Sequence, residues 1–333
     1  MGTMARRTNS PTAPTVPTVP FTPTALDGTL FTALELAGLL AAGAPPVFCR
    51  TLLTTFKSKD AWLSAPLLPD EKPSFRSAPA YDPPKNLQVI GCMDPRYPAA
   101  FFDLSAPPPA LFVEGEPTFH PSAAVVGSRA MSSFGATVAT LAATTAVSAG
   151  ATVLSGLAAG VDSTAHRAAL DVGGRSSAFV ANLTSLSPEQ RSLADRLIDS
   201  GGFLCSEHPP LTPFATSQLL ARNRLIAALA YPLIPVEGTL ESGTVSTLRT
   251  AAALGRPVLT ATPRPSFRSL PTAALPLALG LDPTRAAARF SPPVHFKNVS
   301  ASSPTAANAV CTTREEFENC LKVLFWLHRE PTS

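Results

Sequence analysis

AAVVGSRAMSSFGATVATLAATTAVSAGATVLSGLAAGVDSTAHRAALDVGG, residues 123–174, is the stretch that decides the fold of this chain of 333 residues. A short apolar run ends at Gly127, an Ala- and Thr-rich segment of helical length follows, and a second apolar run begins after Gly150. Short Val-rich runs are typical of strands buried on both faces, whereas the longer Ala-rich segment is typical of a helix. Because two parallel strands need such a crossover, the stretch predicts a βαβ unit.

The alternation of short apolar runs with longer helical segments continues well beyond this unit. It predicts an α/β protein with a doubly wound, mostly parallel sheet, an extended Rossmann-like fold. Two apolar runs that precede the unit, 87–90 and 110–113, predict strands added at the edge of the sheet. Four further strands are predicted downstream, at 177–181, 203–206, 233–236 and 258–261.

Local signals refine three of these elements. Asp162 is predicted to be the N-cap of the helix that follows the second strand. Ser187-Pro188 and Gln190 occupy the N-cap, first helical and capping-box positions of another helix. Pro232 and Pro235 lack the amide hydrogens that a central strand needs, so they predict a bulge or a shortened strand at 233–236.

Composition divides the remainder of the chain. Residues 1–24 are rich in Pro and Thr and are predicted to be a disordered tail, since they lack the apolar content to offset the entropy of ordering. Residues 25–56 predict a small helical module and 57–85 a Pro-rich linker. The Rossmann-like domain is expected over 86–300, and 301–333 predict a C-terminal helix and tail.

Composition also excludes several classes of protein. No apolar run approaches the roughly 20 residues of a spanning helix, and the polar N-terminus has no signal-peptide core, so neither a membrane protein nor a secreted one is expected. The five cysteines are scattered without a C-x-x-C pair, which favours reduced thiols in a cytoplasmic protein over a zinc or disulfide framework. A net charge of +3 does not by itself indicate nucleic acid, so any anion site must be local. No metal and no cofactor are predicted.

Small and polar residues follow the first two strands, where an open α/β sheet binds its ligands. Glycine lets a backbone approach a ligand closely, and helix N-termini direct unpaired amides at anions. A phosphate site is therefore predicted there, and Arg129 is interpreted as an anion-binding side chain rather than a solvated loop arginine. The predicted residues are Gly127, Ser128, Arg129, Ser155, Gly156 and Gly160.

Arg222 is the second candidate for that site. Apolar residues follow it at three, four and seven positions, so helical spacing places it on a buried stripe. A charge there needs either a carboxylate such as Glu207 or Glu237, or a ligand phosphate, and the sequence leaves both open. Asp162 and His166 lie four residues apart, but a helix cap and an ordinary histidine explain them better than catalysis does.

Five motifs occur in the order and spacing of a known family. They are VVGSR (125–129), SGLAAGVDSTAH (155–166), SEHPP (206–210), ARNRLIAALA (221–230) and VEGTLESGT (236–244). Together they resemble the signature of the DNA-processing protein A family, DprA, also called Smf. The preceding segment 94–116 resembles the family's lead-in extension, and the resemblance covers about residues 90–262.

The resemblance implies a dimeric, non-enzymatic protein of the cytoplasm that binds single-stranded DNA. Such proteins protect incoming DNA and load the RecA recombinase onto it, in natural transformation and homologous recombination. By the same resemblance, Gly127, Ser128 and Arg129 line a basic phosphate pocket together with Arg222, Asn223 and Arg224, and Ser242, Gly243 and Thr244 offer a second helix N-terminus.

The chain departs from the family at several positions, among them Ser187-Pro188, where the family has Tyr-Pro. Leu219-Leu220 stand where the family has Phe-Pro, so the expected aromatic stacking contact is missing. No lysine occurs between Lys85 and Lys297, which removes the lysine contacts that some members use. These differences concern the affinity for DNA rather than the fold.

A nucleotide-binding or nucleotide-sensing protein is the alternative. The helix start at Gly243-Thr244 is similar to that of the Rossmann-like nucleoside monophosphate phosphoribohydrolases. Their catalytic glutamate corresponds to Thr247 here, so a relative of these enzymes would bind a nucleotide without cleaving it. A cofactor dehydrogenase ranks lower, because G-x-G-x-x-G is absent after the first strand.

Overall fold

The computed structural model describes residues 31–56, 58–120, 122–263, 265–276, 297–298 and 309–329. The predicted tail, 1–24, and most of the predicted C-terminal tail lie outside the described residues. The described helices are α1 (Ala33–Ala41), α2 (Pro46–Thr55), α3 (Lys59–Ser64), α4 (Ser133–Ser148), α5 (Val161–Asp171), α6 (Pro188–Asp199), α7 (Thr216–Leu229), α8 (Gly243–Ala253) and α9 (Arg314–Arg329).

Seven strands form the main sheet, in the order β1-β2-β6-β5-β4-β3-β7. The five strands from β6 to β7 are parallel, whereas β1 pairs with β2 and β2 pairs with β6 in antiparallel fashion. The predicted fold class and both added strands are thereby confirmed. The strands are β1 (Leu87–Gly91), β2 (Ala110–Gly115), β3 (Ser122–Val126), β4 (Val153–Ser155), β5 (Ser176–Phe179), β6 (Phe203–Ser206) and β7 (Ala230–Pro235).

Helices cover both faces of this sheet, as a doubly wound fold requires. Successive residues of a strand point to opposite faces, so in β3 Ala124 and Val126 join one hydrophobic cluster while Ala123 and Val125 join the other. The first cluster contains apolar side chains of α1, α2, α6, α7 and α8, and the second contains those of α4, α5 and α9. Burial on both faces explains why these strands are apolar throughout.

The predicted strand at 258–261 is present, but it does not extend the main sheet. The structure has β8 (Leu259–Ala261) there, and β8 belongs to a separate sheet with β9 (Lys297–Asn298) and β10 (Ala309–Cys311). An isolated bridge, Leu233 to Val258, and a hydrogen bond from the Thr260 hydroxyl to the Pro235 carbonyl at 2.7 Å connect this segment to β7 without a continuous ladder. Prolines in β7 remove the donors that a continuous ladder would need, which is the physical reason for the separation. The same prolines accompany a register shift between β7 and β3, so the predicted irregularity is confirmed.

The helix caps give one confirmation and one correction. The Ser187 hydroxyl accepts from the Gln190 amide at 3.3 Å and the Gln190 side chain accepts from the Ser187 amide at 2.9 Å, which confirms the capping box. Asp162 is not an N-cap, because α5 begins at Val161 with Gly160 as its N-cap. The Asp162 carboxylate accepts instead from the amide of Gly156, at 3.1 Å, and so closes the loop after β4.

The segments before the main sheet pack on it. Leu36 of α1 and Leu52 of α2 lie in the same hydrophobic cluster as residues of β1 and β2. The span 57–85 contains α3 and a short 3-10 helix, Pro73–Ser77, and Trp62 within it donates to the Glu71 carboxylate at 3.0 Å. The domain boundaries stay predictions. Among the described residues, no helix is both long and apolar enough to cross a membrane.

Candidate functional site

A cavity of about 700 Å³ opens at the carboxyl ends of β3, β4 and β5, as the strand-end argument predicts. The N-termini of α5 and α6 border it, since Gly160 and Ser187, the two N-cap residues, are among its lining. Both helices therefore direct the positive ends of their dipoles toward this space. Three arginines, Arg129, Arg167 and Arg222, line the cavity together with one carboxylate, that of Glu189.

Arg222 reaches the cavity from the middle of α7 and is 6% exposed. Its Nη1 donates to the Phe179 carbonyl at 2.7 Å, while its Nε has no partner in the described structure. Burial lowers the pKa of Arg222, and the nearby charge of Asp162 acts in the opposite direction. A buried guanidinium with an unused donor is suited to binding an anion.

The carboxylates considered from the sequence are not the partners of Arg222. Glu207 forms an ion pair with Arg224. Glu237 accepts from the amide of Ser132, at 2.9 Å, and from its hydroxyl, at 2.5 Å. The charge that faces Arg222 is that of Asp162, which is 6% exposed and lies in the loop-and-helix segment after β4.

Two glycines let the backbone pack against these arginines. A Cβ on Gly156 would lie 2.5 Å from Cζ and 2.6 Å from Nη2 of Arg222, so only glycine leaves room for the guanidinium. Gly160 has φ +81°, in the left-handed region, and a Cβ there would lie 2.5 Å from the carbonyl oxygen of Arg129. The Val161 amide donates to the Ser128 carbonyl at 3.1 Å, which holds the loop after β3 against α5. The exposed Arg129 side chain is thereby presented at the cavity.

The other predicted residues of the β3 and β4 ends have structural surroundings. Ser155 is fully buried and its hydroxyl donates to the Val125 carbonyl at 2.6 Å. Gly127 packs against Val161, and the Ser128 amide donates to the Glu237 carbonyl at 2.8 Å. None of these three lines the cavity. Their role as DNA contacts stays a prediction.

The remaining predicted residues lie elsewhere. Arg224 is engaged with Glu207, near Arg50. Asn223 donates to the Gly243 carbonyl at 3.2 Å and so joins α7 to the start of α8. The predicted second helix N-terminus, Ser242, Gly243 and Thr244, does not line the cavity, and the Ser242 hydroxyl donates to the Thr239 carbonyl at 2.7 Å instead of capping α8.

Among the lining residues that the sequence did not predict are Arg167 and Phe214. Arg167 lies on α5, is exposed and forms no ion pair with a described residue. It follows Gly160 by seven residues, two helical turns, so the helical period could have placed it on the same side. Phe214, in the segment between β6 and α7, also lines the cavity and is 52% exposed. No local pattern distinguishes Phe214 from an ordinary loop residue.

Asp162 and His166 form part of the wall beneath the cavity rather than a catalytic pair. Burial raises the pKa of the Asp162 carboxyl, against the effect of Arg222. Burial, with the charges of Arg222 and Arg167, lowers the pKa of His166 to about 3, so its ring is neutral. The Ser176 hydroxyl gives its one hydrogen to the Val153 carbonyl, so His166 Nδ1 donates to that hydroxyl, at 2.7 Å. In the described part of the chain, no group of three metal-ligating side chains occurs.

Comparison with known proteins gives a family and a fold. A family model described as DNA recombination-mediator protein A matches residues 88–274. Protein Smf from Escherichia coli (strain K12) is 37% identical over 208 residues, which are 61% of this chain and 54% of that protein. A putative DNA processing protein DprA from Mycobacterium tuberculosis (strain ATCC 25618 / H37Rv) is 41% identical over 145 residues, 43% of this chain and 37% of that protein. The chain thus spans about half the length, or less, of these curated relatives.

A solved structure supports the fold. The X-ray structure of DNA processing protein A from Streptococcus pneumoniae aligns with a TM-score of 0.50 at 24% identity, covering 70% of this chain and 83% of that one. The span matched by the family model, 88–274, contains all five motifs on which the resemblance rests. It also contains every residue that lines the cavity.

Proposed function

Because the chain belongs to the DNA recombination-mediator protein A family, we propose that it binds single-stranded DNA by holding backbone phosphates in the cavity at the strand ends. Family membership confirms the resemblance deduced from the motifs. We propose further that the protein is a cytoplasmic homodimer without enzymatic activity, that it protects the strand, and that it delivers the strand to the RecA recombinase. The resemblance alone supports these further points.

Arg222 carries the proposal for the cavity. Its guanidinium is largely buried, its Nε has no partner in the described structure, and it borders a space that two further arginines line. Asp162 offsets part of the charge from below, and Glu189 is the single acid among the lining residues. Positive charge therefore remains in a recess between two helix N-termini, which is an arrangement suited to a phosphate.

Contacts between arginines and backbone phosphates predict how the affinity for DNA depends on base sequence and on salt. Phosphates are common to all sequences, so affinity should depend little on base sequence and strongly on salt. If Arg129, Arg167 and Arg222 each neutralise one phosphate, the logarithm of affinity should fall with the logarithm of salt concentration with a slope of about −2.

The test is binding of a fluorescent oligo-dT at several salt concentrations. The variant Arg129→Ala/Arg167→Ala removes two exposed charges and should weaken binding and flatten the salt slope, with folding intact. The control is Arg175→Ala, which removes an exposed charge beside the amino end of β5, away from the cavity. No binding by the wild type at low salt would refute the proposal, and so would equal binding by the double variant and the control.

A nucleotide-binding role is the second candidate, because the cavity volume falls within the range of small-molecule pockets. Thr247, in the place of the related hydrolases' glutamate, is buried in α8 and has no carboxylate. Competition decides between the two. A mononucleotide that displaces oligo-dT at equal molar concentration would favour nucleotide binding, whereas displacement by longer strands alone favours DNA. RecA filament formation on the same strand, with and without the protein, tests delivery.

A further inference from the structure

Phe214 is an aromatic side chain at the cavity that has no role in the proposed phosphate contacts. It is 52% exposed and lines the same cavity as Arg129 and Arg222. Among the described residues, no other aromatic ring pairs with it, although the neighbouring core contains several ring contacts around Phe179. The ring therefore presents a free face at the mouth of a cationic recess.

The segment that carries Phe214 is held in place by the rest of the fold. Three of its backbone carbonyls accept hydrogen bonds from side chains of another segment or of α7. Thr184 donates to the Pro210 carbonyl, Asn182 to the Thr212 carbonyl at 2.7 Å, and Gln218 to the Pro213 carbonyl at 3.2 Å. Three prolines at 209, 210 and 213 restrict the same backbone further. The exposure of Phe214 is thus built into a fixed loop.

A fixed aromatic ring beside buried and exposed guanidinium groups fits one chemical class of ligand. A nucleotide unit joins an anionic phosphate to a planar, weakly polar base, and the cavity offers a partner for each part. Stacking on an aromatic side chain tolerates any base, because every base has a π-face. An apolar peptide would use the ring but not the three arginines.

We propose that Phe214 is a stacking platform for one nucleobase of the strand whose phosphates lie against Arg129 and Arg222. The inference rests on the proposed function and deepens it, since it adds a base contact to a site otherwise defined by phosphates. The contact is indifferent to base identity, but it requires that a base be present.

The first experiment compares oligo-dT with an abasic strand of the same length and backbone. Phe214→Ala should weaken binding of oligo-dT by about 5- to 150-fold, the range of a single base–aromatic contact. The same substitution should leave binding of the abasic strand unchanged. The salt slope should also stay that of the wild type, because stacking neutralises no phosphate.

A matched control lies three residues away. Leu211 is 87% exposed on the same segment and does not line the cavity, so Leu211→Ala should bind oligo-dT as the wild type does. Phe214→Trp supplies a second measurement that needs no loss of function. Its indole should preserve affinity, and its emission should be quenched by oligo-dT but not by the abasic strand.

The outcomes separate the two proposals. If Phe214→Ala binds oligo-dT like the wild type, the platform is refuted while phosphate binding stands. If the substitution weakens binding of oligo-dT and of the abasic strand equally, the ring stabilises the phosphate site or the loop and does not contact a base. That result also refutes the inference. If the wild type binds neither strand at low salt, both proposals fail. A change confined to the oligomeric state of Phe214→Ala would assign the ring to a protein contact instead.

Discussion

The closest packing in the cavity yields the sharpest prediction. Gly156→Ala would place a Cβ 2.5 Å from Cζ and 2.6 Å from Nη2 of Arg222, well inside van der Waals contact. The guanidinium is the far end of a long side chain and borders the cavity, so it can move aside more easily than the backbone can. We expect the guanidinium to be displaced and its hydrogen bond to the Phe179 carbonyl to be lost.

The size of the effect follows from that hydrogen bond and from the charge beside it. A hydrogen bond from a charged donor contributes about 1.5–3 kcal/mol, so the free energy of unfolding should fall by about 2 kcal/mol. Asp162, left without its facing charge, should bind a proton more readily, because burial already raises its pKa. The affinity of Gly156→Ala for oligo-dT should also fall, because Arg222 would no longer face the cavity.

The assay is a double-mutant cycle of Gly156→Ala with Arg222→Ala, measured by urea unfolding. In the Arg222→Ala background the clash is gone, so the glycine substitution should have little further effect. The two substitutions are therefore expected to be strongly non-additive. Additive losses, or a Gly156→Ala protein as stable as the wild type that binds DNA equally well, would refute the assignment of Gly156 as the space for the guanidinium.

Three further predictions concern single side chains. Arg224→Ala should lower the free energy of unfolding by about 3 kcal/mol, measured in urea, because it leaves the Glu207 carboxylate buried and unpaired; lost DNA binding at full stability would instead make Arg224 a ligand contact. Glu189→Gln should raise affinity for oligo-dT about threefold at low salt, and less at high salt, because it removes the acid that lines the cavity; unchanged affinity would place the strand away from α6. His166 has a pKa lowered to about 3 by burial, so the stability due to its neutral ring is complete above pH 6.5 and is lost as pH falls toward 3. Measured by urea unfolding, the free energy of unfolding of the wild type should fall by about 2 kcal/mol more than that of His166→Gln between pH 7 and pH 5. An equal dependence of the free energy of unfolding on pH in the two proteins would contradict this prediction.

The local chemistry of the sequence was enough to predict most elements of the sheet. Strand 203–206 and the capping box at Ser187 and Gln190 occur where predicted, because both depend on neighbouring residues alone. The cap assigned to Asp162 failed because the competing donors, the amides of Gly156 and Ala158, are brought to the carboxylate by a loop whose shape the sequence does not reveal. A strand occurs at 258–261 as predicted, but the sequence did not reveal that it belongs to a second sheet, since its partner, β10, lies about fifty residues later in the chain.

The candidate site was only partly predictable. Arg129, Gly156 and Gly160 line the cavity because strand ends can be located from the pattern of the sequence. Arg222 and Arg224 both stand in one motif, yet residues two apart face different sides of a helix. The structure directs the first to the Phe179 carbonyl and the second to Glu207. Arg167 and Phe214 reach the cavity from separate segments that meet only in the folded chain.

Sequence alone therefore determined the fold class and the family, and it predicted the edge of the sheet at which the cavity lies, because each follows from short-range patterns and their order. Only the tertiary structure decided which cations face the cavity, which carboxylate lies opposite Arg222 and which aromatic ring stands at the rim. The physical reason is that these contacts join segments far apart in the chain. Their geometry depends on how helices are rotated and loops are held against the sheet, and residues that are adjacent in the sequence do not determine this.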